Sequence, residues 1–202
     1  MRVTLDHNCI LSLENNDGHA EAIRTLIHLN DCQAIHLCVV GMGASELGRG
    51  RAFPGSFDEF RRRLLTIGLG SNIEVLAPMA YFDLTYWDNC VSADDSMEQL
   101  ERRIHEILFH HVEFAYVAFC QSRGLDPTAV FNTAETKTWR GAKCDVQTLW
   151  AHIWYHGDIF VTSDKNFHKA TKKPRLQALG AGIIALPDEA TGLVSASIQK
   201  SP

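Results

Sequence analysis

The stretch that most constrains this chain is CDVQTLWAHIWYHGDIFVTSDKNF, residues 144–167. Val146, Leu149, Trp150, Ile153 and Trp154 recur at the spacing of one buried helical stripe. His156-Gly157-Asp158 supplies a turn. Ile159 to Thr162 is a short apolar, β-branched run of the kind that a strand covered on both faces carries. Asp164 stands where that strand ends. Asp145 lies one step before the stripe, about 100° round the helix from Val146. That puts it on the border of the packed face, and the pattern places it near the helix start, where a carboxylate meets the positive end of the helix dipole.

The beginning of the chain repeats the design. Arg2-Val3-Thr4-Leu5 reads as a strand, and Asp6 ends it. In open parallel sheets, ligands collect outside the carboxyl ends of the strands. Two strand-end aspartates meet there if their strands are neighbours, and Asp145 joins them from the helix that precedes the second.

The intervening chain alternates strand and helix. Ile35 to Val40 is a second apolar run, followed by a glycine-rich turn that carries Glu46 just beyond its carboxyl end. Ile73 to Leu76 is a third strand, stopped by Pro78, and Gly182 to Leu186 is a last one, closed by Pro187. Ala22, Ile23, Leu26 and Ile27 mark one helical stripe; Phe57, Phe60, Leu64 and Ile67 mark another, with Arg61, Arg62 and Arg63 turned mostly outward. This order predicts an α/β fold: a three-layer αβα sandwich around a mainly parallel sheet of about five strands. A long helix is expected from Ser96 to about Ser122, with Ser96 and Gln99 as a capping box and Gly124 as its stop. Asp126 to Ala142 reads as loop, with room for a short helix. Residues 191–202 are small and polar and are expected to form a flexible tail. The expected organisation is one domain over residues 1–190 with a helical insertion around 79–142.

At 202 residues, with 46% hydrophobic and 21% charged, the chain is long enough for one good core. A formal charge of −5 counts against tight non-specific binding of nucleic acid and suits a site of carboxylates awaiting a cation. The cysteines at positions 9, 32, 38, 90, 120 and 144 form no CxxC pair and read as reduced thiols of a cytoplasmic protein. No signal segment or membrane span is expected.

Asp6, Glu46, Asp145 and Asp164 thus fall on one predicted edge of the sheet. Carboxylates brought together repel, and a hard divalent cation with oxygen ligands, Mg²⁺ or Mn²⁺, resolves the repulsion. Together with VTLDHN (Asp6 and Asn8), Ser45-Glu46-Leu47, Val161-Thr162-Ser163-Asp164-Lys165-Asn166-Phe167 and the closing Leu179-Gly180-Ala181-Gly182-Ile183-Ile184, they resemble the PIN-domain family. The resemblance covers both ends of the chain well and the middle poorly.

What it implies is a metal-dependent endoribonuclease, often the toxin of a toxin–antitoxin pair. Asp6, Asp145 and Asp164 would then bind Mg²⁺ or Mn²⁺, with Glu46 as a ligand or just behind one. Asn8, Thr162, Ser163 and Lys165 would orient the site or meet substrate. RNA is the implied substrate, with an antitoxin protein and a second copy of the chain as further partners and no membrane. Asn166 stands where many members carry another Asp, which weakens a second metal site. The alternative expectation is a catalytically silent module of the same fold that binds RNA or a protein partner. A dehalogenase-type phosphohydrolase needs a second Asp two positions after its nucleophile, and Asn8 is there instead.

Blander readings accompany these. A strand-end Asp is often a helix cap, and Asp158 reads as a turn residue. His152 and His156 are spaced as paired zinc ligands, but Ile153 replaces the glutamate of HExxH. Arg49, Arg51 and Arg61 to Arg63 read as a solvated run. Lys165, Lys169, Lys172, Lys173 and Arg175 are the better candidates for an RNA-contacting rim.

Overall fold

A computed structural model describes residues 1–48, 54–70, 72–128 and 134–199. Arg49 and Arg51 lie outside them. The chain begins with β1 (Arg2–Leu5), α1 (His7–Asn15), α2 (Ala20–Asp31), β2 (His36–Val40), α3 (Phe57–Thr66) and β3 (Glu74–Leu76). Then come α4 (Asp95–Phe109), α5 (Tyr116–Arg123), α6 (Lys137–Trp154), β4 (Ile159–Val161) and α7 (Lys165–His168). It closes with α8 (Lys173–Leu176), β5 (Ile183–Ala185) and α9 (Pro187–Ile198). The five strands are all parallel, in the order β3-β2-β1-β4-β5.

Strand alternation divides the core between the two faces. Leu37 and Val39 point with Val3, Leu5, Ile159 and Val161 into a core shared with α1, α2, α3 and α9. Cys38, Val40, Phe160 and Ile184 point into the other, against α4 and α6. The result is a three-layer αβα sandwich, with β1 at its centre. Register then decides the site. Leu5 sits opposite both Val39 and Val161, so the ends of β1, β2 and β4 are level.

The middle of the chain departs from the expected elements. The long helix is two helices, broken over residues 110–115, where buried His105 bonds the Val112 carbonyl through Nε2 at 2.7 Å. Asp94, not Ser96, caps α4, its Oδ1 accepting from the Met97 amide at 2.9 Å. Gly124 ends α5 in a left-handed conformation, φ 65°. The expected loop ending at Ala142 is in part helix, because α6 begins at Lys137. Its first turns bury Trp139, Ala142 and Lys143; Gly141 and the charges among them disguised the stripe. Residues 191–198, expected to fray, complete α9, whose Ala190 and Val194 are fully buried.

His152 is a packing residue. It is fully buried, with Nδ1 2.9 Å from Thr4 Oγ1 and Nε2 3.1 Å from the Ala181 carbonyl. The carbonyl needs a donor, so Nε2 carries the proton and Nδ1 accepts from the threonine. Burial lowers its pKa to about 4. His156 sits exposed in the following turn at φ 56°, so the two histidines share no ligand. Trp150 is fully buried as expected, whereas Trp154 is stacked on it and 36% exposed.

Candidate metal centre

Asp6 and Asp164 follow neighbouring parallel strands, and Thr162 links them. The Thr162 hydroxyl donates to Asp6 Oδ2 at 2.7 Å and accepts from the Asp164 amide at 3.0 Å. Asn8 Nδ2 donates to Asp6 Oδ2 and to Thr162 Oγ1, while Asn8 Oδ1 accepts from both the amide and the hydroxyl of Ser163. Each aspartate is also a helix cap: Asp6 Oδ1 accepts from the His7 amide at 2.7 Å, and Asp164 Oδ1 from the Asn166 amide at 2.8 Å. The capping and ligand readings therefore coexist. A carboxylate oxygen has two lone pairs, so a capped aspartate retains acceptor capacity.

Glu46 arrives by a different route. The 3₁₀ turn Gly41–Ser45 follows β2, and Glu46 is the extended residue after it. Asp145 comes from the middle of α6, eight residues past its first, and not from a helix start. The helix dipole therefore does little for it; its place depends on which side of α6 faces the sheet edge.

The four acids act on one another. Burial pushes the Asp6 carboxyl up to about 6, with Asp164 adding and the bonds from Thr162 and the His7 amide opposing. Burial pushes Glu46 up to about 8, with Asp6 adding and Arg63 and Arg140 opposing. Asp145 is driven well above the carboxylate range by burial and then by Asp6, Glu46 and Asp164. As whole residues Glu46 and Asp145 are half-buried, while burial dominates the shifts of their carboxyl groups.

No member of this set has an ion-pair partner among the described residues. The nearby cations are committed elsewhere. Arg63, expected to point outward, turns inward and forks onto Glu14 at 2.5 and 2.9 Å. Arg140 holds the Ser45 carbonyl at 3.0 and 2.7 Å. Buried charges are normally paired or metal-bound, and all-oxygen donors suit a hard divalent cation. The donor set is chemically suited to Mg²⁺ or Mn²⁺, but no three of its carboxylates bring ligand atoms within 4.8 Å of one another.

A tighter cluster lies at the opposite edge. Among the described residues, the only three His, Cys, Asp or Glu side chains with ligand atoms all within 4.8 Å of one another are His36, Cys38 and Glu74. There, however, Glu74 Oε2 already accepts from Arg2 at 2.5 Å and is 2.6 Å from His36 Nε2. Burial also pushes the Cys38 thiol up to about 12, against the thiolate that a metal requires. This is an ion-pair hub. The four acids are spaced more widely: no three of them bring ligand atoms within 4.8 Å of one another.

Of the expected cationic rim, Lys165, Lys169 and Arg175 are exposed, whereas Lys172 is tied to the Leu108 carbonyl and to Asn166 Oδ1 at 2.7 Å. Arg140 was missed altogether, because the chain around it read as loop; an amphipathic stripe carried back through Trp139 would have found it. His7 is buried, with Nε2 3.2 Å from the Leu47 carbonyl and a pKa lowered to about 4 by burial and by Arg63. All six cysteines are free thiols. No helix among the described residues is long and apolar enough to cross a membrane.

The site leaves a mark on stability. A carboxyl whose folded pKa exceeds its unfolded value binds its proton more tightly when folded, so stability is lost as pH rises through that interval. For Asp6 the interval is 3.8 to about 6, and for Glu46 4.5 to about 8. His7 and His152 act oppositely between about 4 and 6.5, where the unfolded chain takes up their protons. Above pH 6.5 the two histidines no longer oppose the carboxylates. Without divalent ions, the thermal midpoint therefore falls between pH 6.5 and 8, by less than about 1.4 kcal/mol per pH unit for one proton, or about 3–5 °C. A pH series of melting curves in chelator measures this, and a flat or rising midpoint contradicts it. Comparison with family models, curated proteins and solved structures found no match to this chain.

Proposed function

We propose that this protein is a divalent-metal-dependent endoribonuclease. The observation that carries the reading is geometric: Asp6 and Asp164 end neighbouring parallel strands and are linked through Thr162, and Asp6, Glu46, Asp145 and Asp164 form no ion pair among the described residues. Burial raises the carboxyls of Asp6, Glu46 and Asp145, and neighbouring acids add to it. Asp6, Asp145 and Asp164 would hold Mg²⁺ or Mn²⁺, with Glu46 beside them. Such a cation supplies an activated water and charge stabilisation at a phosphodiester. The chain's own residues orient the acids. Thr162 and Asn8 fix Asp6, Ser163 fixes Asn8, and the Asn166 amide fixes Asp164. Lys165 and Lys169, exposed just past Asp164, are suited to phosphate contacts that position a strand without reading its sequence.

The test pairs two measurements. Calorimetry should show Mn²⁺ binding that Asp164→Asn weakens, and a labelled single-stranded RNA should be cut by the wild type with Mn²⁺ and not with chelator. Asp164→Asn cutting RNA at the wild-type rate would end the proposal. A toxin role with an antitoxin partner belongs to the same reading. It requires that the wild type, and not Asp164→Asn, arrest growth when expressed in bacteria.

One observation favours the silent-module reading. Phe82 and Trp87 are 79% and 71% exposed and packed edge to face at 5.5 Å, an apolar pair suited to a partner surface. RNA or protein binding that survives chelator, without Mn²⁺ uptake or cleavage, would select that reading.

A further inference from the structure

Beside Glu46 lies a pocket of about 240 Å³ that the carboxylate cluster does not account for. One wall is a single face of α6: Lys137, Arg140, Gly141 and Cys144, at successive helical spacings. The opposite wall comes from Leu11 of α1 and from the segment after Ser45, including Leu47. Asp145 is four residues past Gly141, about 6 Å along the axis. Glu46 lines the pocket and belongs to the acidic cluster, so the two sites are continuous.

We infer that this pocket is a nucleoside subsite: it takes the base and ribose of the nucleotide adjoining the phosphate at the carboxylates. The inference deepens the ribonuclease reading and rests on it for the direction of the strand. Size favours a single nucleoside, since the volume is below the ~300–1,000 Å³ of pockets for drug-sized ligands. Leu11 and Leu47 offer apolar surface to the face of a base, while Lys137 and Arg140 line the same pocket with positive charge suited to an anionic backbone. Arg140 is already held by the Ser45 carbonyl through two nitrogens, so its guanidinium is presented without further loss of freedom.

Gly141 is the independent observation. It lies inside a helix, where glycine costs about 1 kcal/mol relative to alanine. A Cβ built there meets nothing within 4 Å, and its φ is helical. Neither packing within the chain nor backbone geometry requires glycine. Gly141 is exposed and forms part of the pocket's α6 wall, so bulk added there crowds the wall beside Arg140 and Cys144.

The same openness makes the test clean. Gly141→Trp should crowd the pocket without strain in the fold, and melting curves of it and of the wild type report that both fold. The four common ribonucleoside monophosphates are titrated into each by calorimetry, with Mn²⁺ present. At least one should bind wild type and bind Gly141→Trp about tenfold more weakly, the scale of one lost base-stacking contact. RNA cleavage by Gly141→Trp should also lose the base preference of the wild type. Absence of binding by all four nucleotides, or equal binding by Gly141→Trp, overturns the subsite. So does tighter binding of an oligoglutamate peptide, which would assign the pocket to an acidic protein segment. Nucleotide binding lost in Gly141→Trp, without metal-dependent RNA cleavage by the wild type, would support the pocket and overturn the nuclease reading. Unchanged cleavage and preference in Gly141→Trp would overturn the pocket and leave the nuclease standing.

Discussion

Replacing Asp145 by Asn should lower metal-dependent RNA cleavage by about 10³-fold, the scale at which an enzyme loses one preorganised electrostatic group, while making the metal-free protein more stable. The two effects have one cause. Asp145 accepts no hydrogen bond from another described residue, and its ionisation is opposed by burial and by Asp6, Glu46 and Asp164. The amide keeps the shape and removes a charge that the folded state resists. Without metal at pH 8, the thermal midpoint should therefore rise by several degrees. With millimolar Mn²⁺ the order should reverse, because a cation that binds the folded state of the wild type stabilises it by about 2.7 kcal/mol at a hundred times its dissociation constant. Asp145 is a better choice than Asp6, whose carboxylate also receives Asn8, Thr162 and the His7 amide. Melting curves of both proteins, with chelator and with Mn²⁺, decide the matter alongside a cleavage assay. An Asp145→Asn protein destabilised in chelator, or unchanged in activity, would show that the acids are an ordinary polar surface.

Truncating Glu101 to Ala should cost about 3–5 kcal/mol of folding stability. Glu101 is fully buried on α4, and it accepts from Tyr81 Oη at 2.5 Å, Lys143 Nζ at 2.8 Å and Gln147 Nε2 at 2.9 Å. Lys143, 1% exposed, lies among the rings of Phe114, Tyr81 and Trp139 at 4.0, 4.7 and 5.4 Å. Burial lowers its pKa, and Glu101 opposes that. Removing the carboxylate strands an ammonium in an apolar, aromatic enclosure. The free energy lost is mainly the exposure of that unpaired charge to a low dielectric, so the double variant Glu101→Leu, Lys143→Met should recover most of it. Urea denaturation gives both numbers. A Glu101→Ala protein within about 1 kcal/mol of wild type would mean that Lys143 escapes to water. Lys143 is two residues from Asp145 on α6, so this pair also anchors the helix that presents the third acid. The double variant should accordingly keep its fold and show whether the ionic pair matters to cleavage beyond stability.

Much of the architecture is legible along the chain because its causes are local. The apolar run 35–40 and the strand-end Asp6 and Asp164 announce themselves through period and punctuation. The structure places β1, β2 and β4 there, and parallel pairing makes β1 and β4 neighbours. The α6 boundary was hidden because Gly141 and three basic residues interrupt a stripe whose partners, in α4, lie some forty positions earlier. The break after Phe109 was hidden because His105 finds its acceptor seven residues ahead, outside any helical period. Arg63 looked like one of three solvated arginines; only the approach of α1, carrying Glu14, turns it inward.

By itself the sequence determined that acidic side chains would stand at the carboxyl ends of buried strands, since hydrophobic periodicity sets where strands stop and which residue comes next. Only the tertiary structure decided that Asp145 comes from the middle of α6, that Arg140 and Arg63 bond elsewhere, and that a pocket opens along α6. Those outcomes depend on strand register and helix rotation about the sheet. Both are fixed by contacts between residues far apart in the chain, and no local pattern encodes them.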